Sequence, residues 1–262
     1  MKRAFVTGAS AGIGREFATR LAAEGYAVTA VARREDRLQA LVQALAGDGH
    51  RYVVADLASH AGREAVIEDM KSAHVDLLVN NAGFSALEPF YQSSLQKQRD
   101  ILGVDCQAVV ELAHAFLAQA KRGDALVNLG SIVSYLPTPA QPVYSASKAF
   151  VAAFSECLWE EQRERGVYVM CLCPGLTETD FVRTASGGDA DGSNLPSGLT
   201  QTTDAVTDEA LGALRRRHKA IVVTGWFNRL MLLMPRLLTR HRLIKVLAVM
   251  GDPAHAKEDQ AK

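Results

Sequence analysis

The sequence has few cysteines, and their spacing excludes the common cysteine motifs. Only four are present, and none forms a C-x-x-C pair of the kind found in zinc and redox sites. Two of them lie in the apolar run at residues 167–175, which is typical of a buried strand. We therefore predict no metal site and expect reduced, buried thiols, which suit a cytoplasmic location. The four are Cys106, Cys157, Cys171 and Cys173.

An excess of charge of either sign is also missing. The 29 Lys and Arg residues balance 29 Asp and Glu residues, and the pI is near 7.1. This balance excludes the basic footprint of a protein that binds nucleic acid. The N-terminal stretch MKRAFVTGAS enters a strand-like run at once, so we expect no secretory leader.

Short apolar runs, separated by helical stretches, dominate what is present. Most are apolar continuously rather than alternately, as in strands buried on both faces of a parallel sheet. This pattern predicts a single α/β domain over residues 1–225, built on a Rossmann-type, doubly wound parallel sheet of about seven strands. The runs lie at residues 4–9, 27–33, 52–57, 76–83, 125–131, 167–175 and 220–225.

Two polar segments depart from this pattern. Residues 184–204 are rich in Gly, Ser and Asp, and a loop of this length is either a disordered insertion or a mobile lid. We favour a lid over a substrate cleft, because ligands of such sheets bind beyond the carboxyl ends of the strands. Residues 251–262 are expected to form a disordered tail.

The first apolar run ends in the glycine-rich stretch TGASAGIG. Glycines at a strand–helix turn let the backbone approach a pyrophosphate, which then lies against the helix N-terminus. A tight turn without a ligand is the alternative, but the position in the first βα turn favours dinucleotide binding. The residues concerned are Gly8, Ser10, Gly12, Ile13 and Gly14.

The second run ends in VARRED, without the acidic residue that commonly binds the ribose 2′-hydroxyl of NAD. Ala32 occupies that place, and Arg33 and Arg34 follow it. Guanidinium groups bind phosphate through paired hydrogen bonds, so the stretch predicts NADP(H) rather than NAD(H). The alternative is a solvated helix start in which Glu35 or Asp36 pairs with an arginine.

Polar motifs follow the later runs in the order ADL, NNAG, NLGS, YSASK and CPG. Together with the glycine turn, this succession resembles the short-chain dehydrogenase/reductase family, whose motifs it matches across roughly residues 1–182. The resemblance implies the strand order 3-2-1-4-5-6-7, a ketone–alcohol reaction on a small molecule, and a homodimer or homotetramer.

The resemblance also implies a role for each matching residue. Ser131, Tyr144 and Lys148 match the catalytic set, and Asp56 matches the residue that contacts adenine. Beyond the glycine turn and the two arginines, the residues implied to bind the cofactor are Asp56, Leu57, Asn80, Asn81, Ala82, Gly83, Tyr144, Lys148, Pro174, Gly175, Thr177 and Thr179.

The spacing of Tyr144 and Lys148 has a chemical reason. Reduction of a ketone leaves an alkoxide that needs a proton, and a phenol with a pKa of about 10 is a sluggish acid near neutrality. A cation four residues along the same helix lies beside the phenol and lowers its pKa. Ser131 adds a hydroxyl that can donate to the substrate oxygen. Alone, each residue also fits a structural role, but the combination favours chemistry.

One position departs from the family pattern. Many members carry an asparagine in the preceding long helix, and the corresponding residue here is Asp105. A carboxylate near Lys148 could pair with it and weaken its action on Tyr144, or the exchange could be nearly silent if the backbone carbonyl does the work. We expect activity to be retained.

The C-terminal stretch at residues 226–250 is basic and amphipathic. It contains five cations and no acid, and Pro235 divides it into helical pieces. It has no uncharged apolar window of 18 residues, so it does not span a bilayer. One interpretation is a helix pair that closes the substrate pocket or packs in an oligomer; the other is peripheral membrane contact, with Trp226 as an anchor.

These observations predict an NADPH-dependent enzyme that reduces an apolar ketone, reversibly, to a secondary alcohol. A 3-oxoacyl thioester reductase is an alternative and would favour a cationic pocket mouth, for which Arg183 is the candidate. A non-catalytic NADP-binding regulator is a second alternative, although such a protein has no need of all three catalytic residues.

Overall fold

The structure is a computed structural model, and it describes residues 1–139, 141–178 and 200–250, without the side chain of Met250. Four sequence predictions lie wholly or largely outside these residues: the lid at 184–204, the tail at 251–262, Thr179 and Arg183.

Seven parallel strands form one sheet in the order β3-β2-β1-β4-β5-β6-β7. The predicted doubly wound sheet and its strand order are therefore confirmed. β4 and β6 are buried at every residue, which explains why their sequences are apolar without alternation. The strands are β1 (Arg3–Thr7), β2 (Ala27–Ala32), β3 (Arg51–Val54), β4 (Leu77–Asn80), β5 (Ala125–Leu129), β6 (Tyr168–Cys173) and β7 (Ile221–Val223).

Helices cover both faces of the sheet. Leucines of α2 pack on one face together with apolar side chains of α1 and α7, while α3, α5 and α6 contribute to the core on the other. Strands β2 and β3 extend the sheet on one side of β1, and β4 to β7 extend it on the other. The strand order therefore reverses between β1 and β4, and the crevice beyond the carboxyl ends of these two strands is the expected ligand site. The helices are α1 (Gly12–Ala23), α2 (Glu35–Ala44), α3 (His60–Lys71), α4 (Leu95–Leu102), α5 (Val109–Gln119), α6 (Pro142–Glu161) and α7 (Thr203–Arg216).

Helices α4 and α5 form one continuous rod, because a π-helical segment at Gly103–Ala108 joins them. Within the described residues, this rod at Leu95–Gln119 is the one helix long and apolar enough to cross a membrane by length and composition. More than half of its most apolar 18-residue stretch is buried in the protein, as in the core helix of a folded domain.

Three short helices follow β7. They are α8 (Trp226–Met231), α9 (Met234–Leu237) and α10 (Arg240–Met250). The sequence predicts a division at Pro235; the structure places the break just before it, at residues 232–233, and Pro235 lies in the first turn of the second helix. Leu243 and Leu247 of α10 are buried against Leu136, with Ile132 beside them. The inner side of this segment therefore packs on the turn that follows β5.

The cysteines are all free, as expected, but two are not buried. Cys171 and Cys173 lie inside β6, whereas Cys106 is half-buried and Cys157 is exposed. The expectation of buried thiols is wrong for these two because both lie on helices, outside the strand on which it rested.

Candidate active site

Hydrogen bonds of one threonine and one asparagine connect the carboxyl ends of β1 and β4. The Thr7 hydroxyl accepts hydrogen bonds from the backbone N–H groups of Asn81 and Ala82, both at 2.9 Å. In return, the Asn81 amide donates to the Thr7 carbonyl at 2.8 Å. Thr7 is not among the predicted site residues, although a polar residue at the end of an apolar strand, directly before a glycine turn, is a usable signal.

The glycine turn between β1 and α1 is packed against this junction. Gly8 and Gly12 have positive φ angles of 68° and 56°. A Cβ on Gly14 would lie 2.5 Å from the Gly8 carbonyl oxygen and would overlap the Asn81 amide. The turn can therefore close only with glycine at these positions.

The N-terminus of α1 fits a phosphate-bearing group. Its N-cap residue, Ala11, supplies no side-chain acceptor, and the first turn contains no acidic residue. Backbone N–H groups at a helix start need acceptors, and the helix dipole favours an anion there. Ser10, Gly12 and Ile13 lie in this turn and are half-buried. The predicted pyrophosphate site is thus chemically suited to that group.

The predicted arginines lie at the carboxyl end of β2. Both are exposed, and the Arg34 guanidinium donates to the Ser10 hydroxyl at 2.9 Å. This contact holds Arg34 beside the glycine turn. Because Ala32 is the last residue of β2, that strand does not end in a carboxylate.

Asp56 and Leu57 follow β3 at the same edge of the sheet. The exposed Asp56 carboxylate accepts a hydrogen bond from the Ala58 N–H at 3.1 Å. Leu57 is buried, and its carbonyl accepts from Arg63 at 3.1 Å. Of the two, only Asp56 has a side chain at the surface of the edge.

The Asn80 side chain lies in the core of the sheet. Its amide donates to the Asn128 side chain at 3.0 Å and to the Val109 carbonyl at 3.4 Å. Asn128 in turn donates to the Ser155 hydroxyl of α6 at 3.0 Å. The Asn80 side chain therefore links β4, β5 and α6 inside the core.

The three predicted catalytic residues come together where β5 ends and α6 begins. Tyr144 and Lys148 are both buried, and the Lys148 Nζ lies 5.4 Å from the centroid of the Tyr144 ring. Lys148 also donates to the Leu129 carbonyl at 3.0 Å. Ser131 begins the 3₁₀ turn at Ile132–Ser134 and forms a hydrogen bond with Tyr144. A hydroxyl, a phenol and an ammonium thus share one pocket wall.

Asp105 reaches Lys148 directly. The carboxylate has no solvent exposure, and its Oδ2 lies 3.6 Å from the Lys148 Nζ. It also accepts hydrogen bonds from the Phe84 N–H at 3.2 Å and from the Ser147 hydroxyl at 3.4 Å. A Cβ on Gly83 would lie 2.9 Å from the carboxylate and 3.1 Å from the ammonium, so the pair leaves little room for a side chain at position 83.

Burial and neighbouring charges shift the pKa values of Asp105, Lys148 and Tyr144. Burial raises the pKa of the Asp105 carboxyl, against the opposing effect of Lys148. Burial alone would lower the pKa of Lys148, but Asp105 and Tyr144 outweigh it and raise that pKa, so Lys148 remains an ammonium at neutral pH.

The pKa of Tyr144 is raised as well. Burial is the largest cause, Asp105 adds to it, and Lys148 and the hydrogen bond with Ser131 oppose it. Lys148 therefore acts in the predicted direction, but the expectation of a lowered pKa is wrong because burial dominates. The phenol is the prevailing form of Tyr144 at neutral pH.

The segment after β6 is attached to the C-terminal helices. A side chain on Gly175 would overlap the amide of Asn228, a buried residue of α8. Asn228 donates to the Thr224 carbonyl at 2.8 Å, and the Thr177 hydroxyl donates to the Gly175 carbonyl at 3.1 Å. Asn228 was not predicted, since nothing in the sequence around it marks a contact with Gly175. Pro174, which directly precedes Gly175, is buried.

A histidine–carboxylate cluster lies apart from this site, before β4 and β5. His74, Asp76 and Asp124 have ligand-type atoms within 4.8 Å of one another. Their carboxylates already accept backbone hydrogen bonds from Arg3 and Lys121, at 2.8 and 2.6 Å. These hydrogen bonds give the cluster a structural role, and it lies away from the candidate active site.

Comparison with known proteins identifies close similarities. The short chain dehydrogenase family model matches residues 2–189. Sulfoacetaldehyde reductase 2 of Chromohalobacter salexigens is 34% identical over 191 residues, covering 70% of this chain and 76% of that protein. The 3-oxoacyl-(acyl-carrier-protein) reductase of Escherichia coli strain K12 is 33% identical over 230 residues, covering 86% and 93%.

A solved structure of a short-chain dehydrogenase has a similar fold. A short-chain dehydrogenase from Sphingobium yanoikuyae in complex with NADPH superimposes with a TM-score of 0.76 at 29% identity. The match covers 85% of this chain and 87% of that one.

Proposed function

The chain belongs to the short-chain dehydrogenase/reductase family, and on that premise we propose that it is an NADPH-dependent oxidoreductase that interconverts an apolar ketone and the corresponding secondary alcohol. The observation that carries the proposal is the buried pair of Tyr144 and Lys148, with the Ser131 hydroxyl hydrogen-bonded to Tyr144. Such a pair serves proton transfer, which is the part of carbonyl reduction that the protein itself supplies.

Proton transfer follows from the protonation states of the site. With its pKa raised, Tyr144 is a phenol at neutral pH and can donate its proton to the oxygen of a reduced carbonyl. Ser131 orients that oxygen, since its hydroxyl already bonds the phenol. The ammonium of Lys148 stabilises the phenolate that remains. The nicotinamide cofactor, when bound, supplies the hydride.

NADP(H) is supported by the residues at the edge of β1 and β2. The uncapped start of α1 would hold the pyrophosphate, and Arg33 and Arg34 would hold the 2′-phosphate in place of the missing acid. The Sphingobium yanoikuyae structure, which contains NADPH, has the same fold.

An apolar substrate is supported by the cover over the Ser131 turn. Ile132 and Leu136 pack against Leu243 and Leu247 of α10, so this side of the site is hydrocarbon. A 3-oxoacyl thioester remains a second candidate, because the Escherichia coli relative that carries that activity in its name matches over most of both chains. A non-catalytic regulator is less consistent with three intact catalytic side chains.

A homodimer in the cytoplasm completes the proposal. Leu102, Val110 and Phe150 are exposed around a groove of about 560 Å³ on α4, α5 and α6. Exposed apolar side chains grouped in this way are typical of a contact between subunits. Four free cysteines suit a reducing compartment.

The reaction is tested by following NADPH absorbance with a panel of ketones, which includes aliphatic, cyclic and steroid-like compounds and a 3-oxoacyl thioester. We expect NADPH consumption with apolar ketones and formation of one equivalent of alcohol. Faster turnover of the thioester than of every ketone would select the second candidate. Tight NADPH binding without turnover of any compound would overturn the enzyme proposal.

Cofactor preference is tested by Ala32→Asp combined with Arg33→Ala. The new carboxylate repels a 2′-phosphate and accepts from a 2′-hydroxyl, so we expect the preference for NADPH over NADH to fall by roughly ten- to a hundredfold. Arg163→Ala, at an exposed arginine after α6, is the control and should leave the preference unchanged. An unchanged preference in the double variant would contradict the assignment.

A further inference from the structure

The C-terminal segment at residues 226–250 has two apolar faces, and only one of them is buried. Its inner face packs against Leu136 through Met231, Leu232, Met234, Leu238, Leu243 and Leu247. Its outer face carries Trp226, Leu230, Leu233 and Leu237, which are exposed by 73%, 52%, 44% and 81%. Trp226 and Leu230 lie one turn apart on α8, and Leu233 and Leu237 lie at the two ends of α9. A large apolar surface thus faces water.

The charges on this segment are of one sign. It carries five of the 29 basic residues and none of the 29 acidic ones, so the rest of the chain has more acidic than basic residues. Arg236, Arg240, Arg242 and Lys245 are exposed, and none of them has an ion pair in the part of the chain that the structure describes. Arg229 alone is paired, with Glu209 of α7.

The exposed apolar groove on α4, α5 and α6 has a different character. It is bordered by Arg99 and by Glu111, so both signs of charge are present. Mixed charges around an apolar centre suit another protein surface. The C-terminal face instead combines aliphatic side chains and a tryptophan with cations that have no acidic partner among the described residues. This combination is complementary to a surface with a hydrocarbon interior and negative headgroups.

We propose that the outer face of residues 226–250 binds the surface of an anionic lipid bilayer, with Trp226 and Leu237 in the interfacial layer and Arg236 and Arg240 at the headgroups. The binding does not depend on the proposed reaction. The inner face of the same helices covers Ile132 and Leu136, next to Ser131. Docking would therefore bring the bilayer up to the cover of the candidate active site.

Cosedimentation of the full chain with vesicles tests the proposal directly. We expect binding to an equal mixture of phosphatidylcholine and phosphatidylglycerol, little binding to phosphatidylcholine alone, and weaker binding as salt is raised. Absence of binding to the anionic vesicles at low salt would overturn the proposal.

Two double variants separate the contributions of charge and apolar surface. Arg236→Gln with Arg240→Gln should weaken binding to anionic vesicles by roughly thirtyfold, since each cation near such a surface contributes roughly fivefold. The matched control, Arg163→Gln with Lys219→Gln, removes two exposed cations that precede β6 and β7, at the other edge of the sheet. The control should bind like the unmodified chain; equal losses would reduce the effect to general charge and overturn the assigned face.

The apolar part is tested by Trp226→Gln with Leu237→Gln. Both side chains are exposed, so the fold should be unaffected, and we expect binding to fall by roughly tenfold or more. Trp226→Phe with Leu237→Met keeps the apolar surface and should retain most of the binding. If the glutamine variant binds as well as the unmodified chain, the apolar face has no role in docking and the proposal is wrong.

A fluorescence experiment reports on insertion itself. The chain has two tryptophans, so Trp159→Phe leaves Trp226 as the only one. Anionic vesicles should shift its emission to the blue and expose it to quenching by brominated lipid. Unchanged emission, or a shift that depends on protein concentration without vesicles, would indicate that the face binds nothing in lipid or binds a second copy.

Discussion

Positive charge is used in two opposite ways in this molecule. Lys148 is 3% exposed, and its ammonium is matched inside the chain by the Asp105 carboxylate at 3.6 Å and by the Leu129 carbonyl. The cations of residues 226–250 are exposed, and four of the five have no acidic partner among the described residues. A buried charge that is paired within the fold can shift the pKa of a neighbouring group. An exposed charge without an acidic partner can instead bind an anionic group outside the chain.

The energetic consequences differ accordingly. Removing one member of a buried ion pair leaves the other charge without compensation in a medium of low dielectric constant. An exposed cation loses little on removal because water already solvates it. The comparison can therefore be tested by stability and by proton chemistry.

The largest effect is expected for Lys148→Met. It leaves the fully buried Asp105 unpaired, so we expect a loss of about 3–5 kcal/mol in the free energy of unfolding at neutral pH, measured by urea denaturation. Turnover should also be lost because the phenolate of Tyr144 is no longer stabilised. Asp105→Asn in the same chain should restore much of the stability but not the turnover. A loss of stability below about 1 kcal/mol would mean that the pair is not coupled.

Gly14 of α1 and Gly212 of α7 differ in the space around them, so the same substitution should have opposite effects on stability at the two positions. Gly14→Ala places a methyl group 2.5 Å from the Gly8 carbonyl oxygen, and we expect a loss of about 1–3 kcal/mol together with weaker NADPH binding. Gly212 of α7 meets only the flexible end of Arg216, at 3.4 Å. Gly212→Ala should therefore stabilise the protein by up to about 1 kcal/mol. Thermal unfolding of both variants checks this, and similar effects at the two positions would contradict it.

Asp105→Asn tests whether the buried carboxylate tunes the phenol. Because Asp105 raises the pKa of Tyr144, its removal should lower that pKa. Alcohol oxidation needs the phenolate, so its rate increases with pH, and we expect this increase to occur at lower pH in the variant. Ketone reduction needs the phenol, so its rate decreases with pH, and we expect this decrease to begin at lower pH as well. An NMR titration of ¹³C-labelled tyrosine, with Tyr144→Phe to assign the signal, measures the pKa without turnover; unchanged profiles and titration would show that Asp105 is silent.

The smallest effect is expected for Arg236→Gln with Arg240→Gln. These side chains face water, so the free energy of unfolding should change by no more than about 0.5 kcal/mol. A change comparable to that of Lys148→Met would show that the C-terminal cations support the fold, and would remove the contrast between the two regions.

Most of the fold and much of the candidate site could be predicted because they follow the order of the chain. Continuous apolar runs indicate buried parallel strands, and the motifs at their ends meet at one edge of the sheet. That is why Ser131, Tyr144 and Lys148 are found together. The net direction of the Tyr144 pKa could not be predicted, because it depends on burial, which no motif reports.

What sequence could not supply is the direction of individual side chains. Asn80 is directed into the core because its strand register pairs it with Asn128, and register is a property of two strands. The sequence left open whether Asp105 pairs with Lys148, and Asp105 lies in a π-helical segment between α4 and α5 that no motif indicates. Asn228 meets Gly175 only because α8 folds back on the segment after β6.

A single-turnover experiment on Tyr144→Phe tests the central claim most directly. The variant and the unmodified chain, each saturated with NADPH, are mixed with an accepted ketone, and the decay of NADPH absorbance is recorded. We expect the variant to react about 10²–10⁴-fold more slowly, while its affinity for NADPH stays within a few-fold, because only the proton donor is missing. A variant that reduces the ketone at an undiminished rate would contradict the assignment of Tyr144 as the acid.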